Sequence, residues 1–382
     1  MNRRFVPALV LVPFGLLAAC TENDPASAGG SISVVSTDSA CTVSRTEAVA
    51  GNLVFDVKNA GSQVTEFYLL AGDGLRIVGE VENIGPGLTR QMVVAAGPGE
   101  YLTACKPGMV GDGIRAPFSV TGEAVVAPAG QLGELLATAT EQYALYVEEQ
   151  AEELIEKTTE FAALYVAGDD GAARALYADA RTHWERIEPV AESFGDLDPR
   201  LDLREADLAE GEAWTGWHRI EKDLWPEGDP AYTAATQAER EALAEQLVAD
   251  TNELGERVDE LTFSADQLGN GAKELLDEVA TGKVTGEEEI WSHTDLWDFQ
   301  ANVDGARIAF EVLQPALLTK DAALSDLLAE RFAELQELLD QYRDGDGFVL
   351  YTELTADQVK ELSDAVNALS EPLSNLTAAV VL

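Results

Sequence analysis

In the run Gly216-Trp217-His218-Arg219-Ile220-Glu221 an imidazole and a carboxylate stand three residues apart. On a helix that spacing puts both side chains on one face. A neutral imidazole and a carboxylate so placed can share a cation, as the Glu-x-x-His pairs of di-iron bundles do. An upstream echo, Trp184-Glu185-Arg186-Ile187-Glu188, has the same order of aromatic, polar, Arg, Ile and Glu. Glu185 and Glu188, on a neighbouring helix, would add further oxygens. One imidazole with several carboxylates suits a hard or borderline ion such as iron. The competing reading is a solvated His–Glu pair on a polar helix face, and spacing alone favours it. Trp214, Trp217 and Trp225 crowd the same stretch and argue that His218 is shielded. Gly216 leaves room for another backbone to approach.

A second acidic group is Glu287-Glu288-Glu289-Ile290-Trp291-Ser292-His293-Thr294-Asp295. Here Ser292 or Thr294 is expected to cap a helix, with acids near its positive end. His183 beside Trp184 has no evident partner. Cys41, Glu66, Cys105 and Met109 form a third group. A blue-copper site wants two His and a Cys, and the stretch from Ser31 to Thr121 has no His. Two readings stand: a thiolate–carboxylate–thioether metal site, or a Cys41–Cys105 disulfide, which an isolated pair in an oxidising compartment favours. The run Tyr342-x-Asp344-x-Asp346-Gly347-x5-Glu353 brushes against a calcium loop, but Tyr holds the first ligand position, so a turn between helices is expected. No HExxH, GxSxG, Walker or dinucleotide fingerprint occurs.

The elements that must position these residues fall into two halves. From Ser31 to about Thr121 short apolar runs alternate with turn signals. Leu53, Phe55 and Val57 would share one strand face, with Asp56 and Lys58 on the other. Gly72-Asp73-Gly74, Gly85-Pro86-Gly87 and Gly97-Pro98-Gly99 read as turns. About seven strands in this stretch predict a β-sandwich. After Gln131 the period is helical, with segments near 131–155, 170–193, 201–224, 235–262, 265–281, 291–318, 321–342 and 356–380. They predict an antiparallel bundle of roughly eight helices. The expected partition is a signal peptide over 1–19, a tether over 20–30, a β-sandwich over 31–122 and a helix bundle over 131–382.

The 382 residues include 69 acidic and only 25 basic ones, a formal net charge of -44. Such a surface repels phosphate backbones, which excludes nucleic acid as a partner, and concentrates cations. Arg3 and Arg4, the apolar run Val6 to Leu17 and the ending Leu17-Ala18-Ala19-Cys20 form an export signal with a lipobox, so Cys20 is the expected lipidation site. The run is too short for a comfortable membrane span. The mature chain is expected outside the cytoplasm, on the periplasmic or cell-surface side, held to the membrane by lipid.

The Gly216 to Glu221 run resembles the GxHxxE motif of the imelysin family. The blocks Thr182 to Phe194, Leu197-Asp198-Pro199 and Ser292 to Asn302 resemble segments of the EfeO-type family of iron-uptake lipoproteins. The β half, with Cys41, Asn83-Ile84-Gly85-Pro86-Gly87 and Pro98-Gly99-Glu100-Tyr101, is similar to the cupredoxin-like domain of that family. The resemblance implies an iron-binding component of an EfeUOB-type system, with an EfeU-like permease and an EfeB-like haem peroxidase as partners. It maps His218 and Glu221 onto the family's metal motif, and Cys41, Glu66 and Cys105 onto a cupredoxin metal site with copper as the second candidate ion. Imelysins have also been classed as metallopeptidases on their HxxE pair. This chain offers no second His at zincin spacing and no evident base, so a non-enzyme is expected. A third reading is an acidic scaffold that binds no metal.

Overall fold

The computed structural model describes residues 30–123, 129–209, 211, 213–229 and 231–382. The signal peptide over 1–19, Cys20, nearly all of the tether and the middle of the linker lie outside the described residues.

Among the described residues the first half is built of nine strands: β1 (Ile32–Thr37), β2 (Ala40–Val43), β3 (Glu47–Val49), β4 (Gly51–Asn59), β5 (Thr65–Ala71), β6 (Ile77–Ile84), β7 (Thr89–Ala96), β8 (Gly99–Pro107) and β9 (Ile114–Thr121). They form a four-stranded sheet in the order β2-β1-β4-β7 and a five-stranded sheet in the order β3-β9-β8-β5-β6. The alternation along β4 works as expected: Leu53, Phe55 and Val57 are buried while Lys58 faces solvent. Phe55 of one sheet meets Phe67 and Phe118 of the other at ring separations of 5.2 and 5.8 Å, which marks the centre of a β-sandwich. The strands that sequence reading missed, β2 and β3, are short and mostly exposed edge strands whose residues carry little apolar pattern.

Cys41 and Cys105 are joined by a disulfide. This replaces the reading in which they are metal ligands, because bonded sulfurs present no thiolate. Glu66 also stands apart from them. In β5 the core-facing residue is Phe67, paired across the ladder with Cys105, so its neighbour Glu66 points to the opposite face. There it accepts a 2.6 Å hydrogen bond from the Tyr68 hydroxyl and lies 3.7 Å from Lys106 Nζ. The copper site therefore does not assemble.

Among the described residues ten α-helices follow: α1 (Gln131–Ala167), α2 (Asp170–Ile187), α3 (Leu197–Asp202), α4 (Gly216–Leu224), α5 (Gln237–Val258), α6 (Ala265–Thr281), α7 (Asp295–Leu317), α8 (Ala322–Leu339), α9 (Ala356–Leu373) and α10 (Leu376–Val381). Their shared core includes Tyr143, Phe161, Tyr165, Tyr177, Trp184 and Trp217, all fully buried. The single helix expected over 201–224 is instead α3 and α4 joined by an irregular segment. The stretch expected to be a turn between helices, not a calcium loop, is a hairpin of two-residue strands, Arg343–Asp344 against Gly347–Phe348. Among the described residues no helix is long and apolar enough to cross a membrane.

Helix α6 joins the halves. β6 and β7 are edge strands of their sheets, and an open edge leaves backbone groups without partners. Asp266 accepts the Ala95 N–H at 2.7 Å, and the Asn270 amide donates to the Val93 carbonyl at 2.8 Å. Asn52 adds a 2.7 Å bond to the Val381 carbonyl.

Candidate metal centre

The centre is assembled around α4, whose position is set by its first residue. Gly216 has φ 81°, and a Cβ there would lie 2.1 Å from the Leu201 carbonyl oxygen. Only glycine permits this approach of α4 to the end of α3. Thr215 Oγ1 donates to the Arg200 carbonyl at 2.9 Å, and Trp214 Nε1 to the Leu203 carbonyl at 2.7 Å. These bonds seat the last residue of α3, Asp202, against His218.

His218 is 1% exposed and Glu221 fully buried, so the solvated-pair reading fails. His218 Nδ1 lies 3.3 Å from Glu221 Oε2 and 3.8 Å from Glu289 Oε1. Its Nε2 lies 3.4 Å from Asp202 Oδ1 and 3.5 Å from Glu288 Oε1. Neither of those two contacts satisfies hydrogen-bond geometry, which leaves Nε2 a buried ring nitrogen without a hydrogen-bond partner. Donor atoms of Asp202, His218 and Glu288 lie within 4.8 Å of one another, as do those of His218, Glu221 and Glu289. Such spacings fit the ligands of one ion bound to oxygen and nitrogen at about 2.0–2.6 Å.

The acidic 287–295 segment supplies two of these donors. It is pinned from several sides. Glu221 Oε1 accepts the Trp291 and Ser292 N–H groups at 3.1 and 2.7 Å, and Ser292 Oγ donates to Glu289 Oε2 at 2.7 Å. Asp295 accepts the Glu289 N–H at 3.1 Å. His293 holds a left-handed φ of 61° and lets the chain double back. Its N–H donates to the Glu289 carbonyl at 2.8 Å. Helix capping was the expected role of Ser292 or Thr294. Thr294 does precede α7, but its hydroxyl caps nothing.

Glu185 and Glu188 are not brought to His218. Lys283 Nζ, 2% exposed, lies 2.8 Å from Glu185 and 2.7 Å from Glu188 and bridges the two. Asn302 donates to the same two carboxylates. Between them and the imidazole stands Arg181, fully buried, whose guanidinium contacts Glu185 and Asp202 and sets Nε 2.7 Å from Glu289. Sequence reading missed Arg181 and Asp202. Arg181 stands four residues before Glu185 on α2 while Asp202 sits in no spaced pattern, and each reaches the centre through packing of α2 and α3 on α4.

Electrostatics follow from the crowding. Burial and the Arg181 charge oppose protonation of His218, yet Asp202, Glu221 and Glu288 outweigh them and push its pKa up to about 9. Burial works against ionised Glu221 too, but His218 and the Ser292 N–H hold its carboxyl below the usual range. Glu289 goes the other way, raised by burial and by Glu221. The cluster thus holds its negative charge against two guanidiniums, Arg181 and, 3.3 Å from Glu288 Oε2, Arg204, and an imidazolium, an arrangement a metal cation can replace.

One side of the cluster faces a cavity of about 650 Å³ between the sandwich and the bundle. Asp202 and Glu288 line it, together with Glu188, Asp198 and Glu278 from the helices and Glu80 and Glu82 from β6. Glu221 and Glu289 do not line it and are fully buried.

The model of the imelysin family matches residues 139–376, and that of the cupredoxin-like domain matches residues 9–116. The iron uptake system component EfeO of Escherichia coli strain K12 is 37% identical over 350 residues, spanning 90% of each chain, and the protein of that name from Shigella flexneri matches equally. An Efem/EfeO family lipoprotein of Staphylococcus haemolyticus is 43% identical over 244 residues, 63% of this chain and 83% of its own. The chain belongs to the imelysin family, as an EfeO-type member with a cupredoxin-like domain ahead of the imelysin domain.

Proposed function

We propose that this protein is the extracytoplasmic iron-binding component of an EfeUOB-type uptake system, anchored through a lipid on Cys20. It takes iron, as Fe2+ or Fe3+, into the His218 cluster and delivers it to an EfeU-like permease, with an EfeB-like haem peroxidase as the redox partner. The observation that carries this reading is the buried, hydrogen-bond-free His218 Nε2 between Asp202 and Glu288. An imidazole among carboxylates is a donor set for iron rather than for a soft ion. The acidic cleft supports it, because a surface of one sign raises the local concentration of cations and guides them inward. The iron-uptake names of relatives covering 90% of the chain point the same way.

Calorimetric titration with iron tests the assignment. His218→Ala and Glu221→Gln are each expected to weaken binding by about tenfold or more. Glu221→Gln keeps an acceptor for the Trp291 and Ser292 N–H groups, so its loss reads charge and not folding. Titrations that match the natural protein in both variants overturn the site. The peptidase reading requires hydrolysis of a peptide that chelation abolishes. Only one imidazole reaches the cluster among the described residues, since His183 bonds Gln150 and His293 lies outside it.

A further inference from the structure

Lys222 stands four residues after His218 on α4 and is 8% exposed, a degree of burial that an ammonium group reaches only when it is paired. Its Nζ bonds both oxygens of Glu205, at 2.6 and 2.7 Å, and lies 3.3 Å from Asp229 Oδ2. Three aromatic rings close around it, with centroids 5.4 Å away in Trp291, 5.5 Å in Tyr232 and 5.8 Å in Trp214. The negative face of an aromatic ring attracts an ammonium group, and more strongly where water is excluded.

These partners come from three separate stretches of chain. Glu205 and Trp214 belong to the irregular stretch between α3 and α4, Asp229 and Tyr232 to the stretch after α4, and Trp291 to the acidic 287–295 segment. Stretches outside regular helices open locally at the smallest cost. Two of these three carry the carboxylates of the centre. Asp202 ends α3 just before the first, and Glu289 and Glu288 stand two and three residues before Trp291. The enclosure is joined to the centre through its own residues. The Trp291 N–H donates to Glu221 Oε1 at 3.1 Å, and the Trp214 and Trp291 rings meet at 5.8 Å. A Cβ on Gly228 would lie 2.8 Å from Trp291 Cδ1, so the turn after α4 packs directly on that ring. Tyr232 is tied back to α4 by its hydroxyl, which donates to Asp223 Oδ1 at 2.9 Å.

We propose that Lys222 is a positioning residue of the metal centre, a latch that clamps the segments carrying Asp202, Glu288 and Glu289 against α4 and sets how long a captured ion stays. The proposal rests on the His218 cluster being the iron site. Lys222 acts through Glu205, Asp229 and the three rings, and not by touching the ion. With the latch closed, the carboxylates are held at the imidazole. With it open, Asp202 and Glu288 part and the ion leaves into the cavity that both line. Loss of the latch acts mainly on departure, because the acidic cavity still guides cations inward.

Two measurements on the whole protein test it. Lys222→Met keeps the apolar stem and removes the charge, while Lys222→Arg keeps a cation that stacks on aromatic rings. Iron-loaded protein is mixed with excess chelator, and Lys222→Met is expected to release iron about tenfold faster than the natural protein, with Lys222→Arg within about threefold of it. Without metal, amide hydrogen exchange in Lys222→Met is expected to quicken about tenfold over 203–209 and 287–294 and to stay unchanged in α5 and α9. Exchange that quickens throughout the bundle overturns the proposal, since it reports general stability. Release and exchange equal to those of the natural protein overturn it too. Should Lys222→Met fail to fold, Glu205→Gln, at an exposed position, is expected to move both readouts the same way, and unchanged readouts there overturn the latch. A natural protein that takes up no iron overturns the iron assignment; faster exchange confined to the two segments then still supports the clamp, and unchanged exchange overturns it.

Discussion

Asp202 Oδ1 is held by the Arg181 guanidinium and lies 3.4 Å from His218 Nε2, so a fixed cation and a titratable imidazole lean on one carboxylate. Arg181 also contacts Glu185 and Glu289. It is the permanent positive charge nearest the His218 cluster, and it holds the metal-free centre together against its own repulsion.

Removing that charge should therefore be severe. Arg181→Leu leaves buried acids without a counter-ion and is expected to cost about 3–5 kcal/mol in urea unfolding without metal. Added iron should stabilise this variant more than the natural protein, because the ion takes over the missing charge. An equal loss with and without iron contradicts that role.

Gly216 offers a test of how the centre is positioned. Gly216→Ala forces a left-handed φ on a side chain that meets the Leu201 carbonyl. The expected loss exceeds about 2 kcal/mol in thermal unfolding, and iron binding should weaken as α3 and Asp202 are pushed away. Gly171→Ala in α2 serves as the control, since its Cβ meets only Asp169 Oδ1 at 3.9 Å. It should be neutral or stabilise by up to about 1 kcal/mol. If both substitutions behave alike, the close contact does not set the site.

The pH dependence of stability should show His183. Its Nδ1 bonds Gln150 Oε1 at 2.9 Å, and its Nε2 is buried without a partner. Burial, reinforced by the Lys157 and Arg186 charges, lowers its pKa to about 4. The unfolded chain takes up this proton first, near the ordinary value of 6.5. Its contribution is therefore complete above pH 6.5 and disappears as the pH falls towards 4. It amounts to up to about 3 kcal/mol. His183→Gln should flatten that part of the profile in denaturant unfolding measured from pH 7 to 4. A profile of unchanged slope would refute the assignment.

Much of the architecture is legible along the chain, because burial imposes a period. Leu53, Phe55 and Val57 two apart, and the long apolar rows after Gln131, announce sheet and helix wherever one face meets a core. The runs that escaped, Ala40–Val43 and Glu47–Val49, are edge strands with little to bury. The helix read across 201–224 breaks because Gly216 accommodates a contact with Leu201, and residues distant from that turn decide that contact.

For the site, local order determined one turn: His218 and Glu221 share a helix face because they are three residues apart, and no packing is needed to know it. Which carboxylates join them is a matter of tertiary structure. Glu185 and Glu188 have the echoing pattern, yet Lys283 draws them away, and Asp202, Glu288 and Glu289 arrive instead from a helix end and a doubled-back loop. The physical reason is that charge in a buried space is settled by whatever counter-charges the fold places within a few ångströms. A linear spacing carries that information only for neighbours on the same helix.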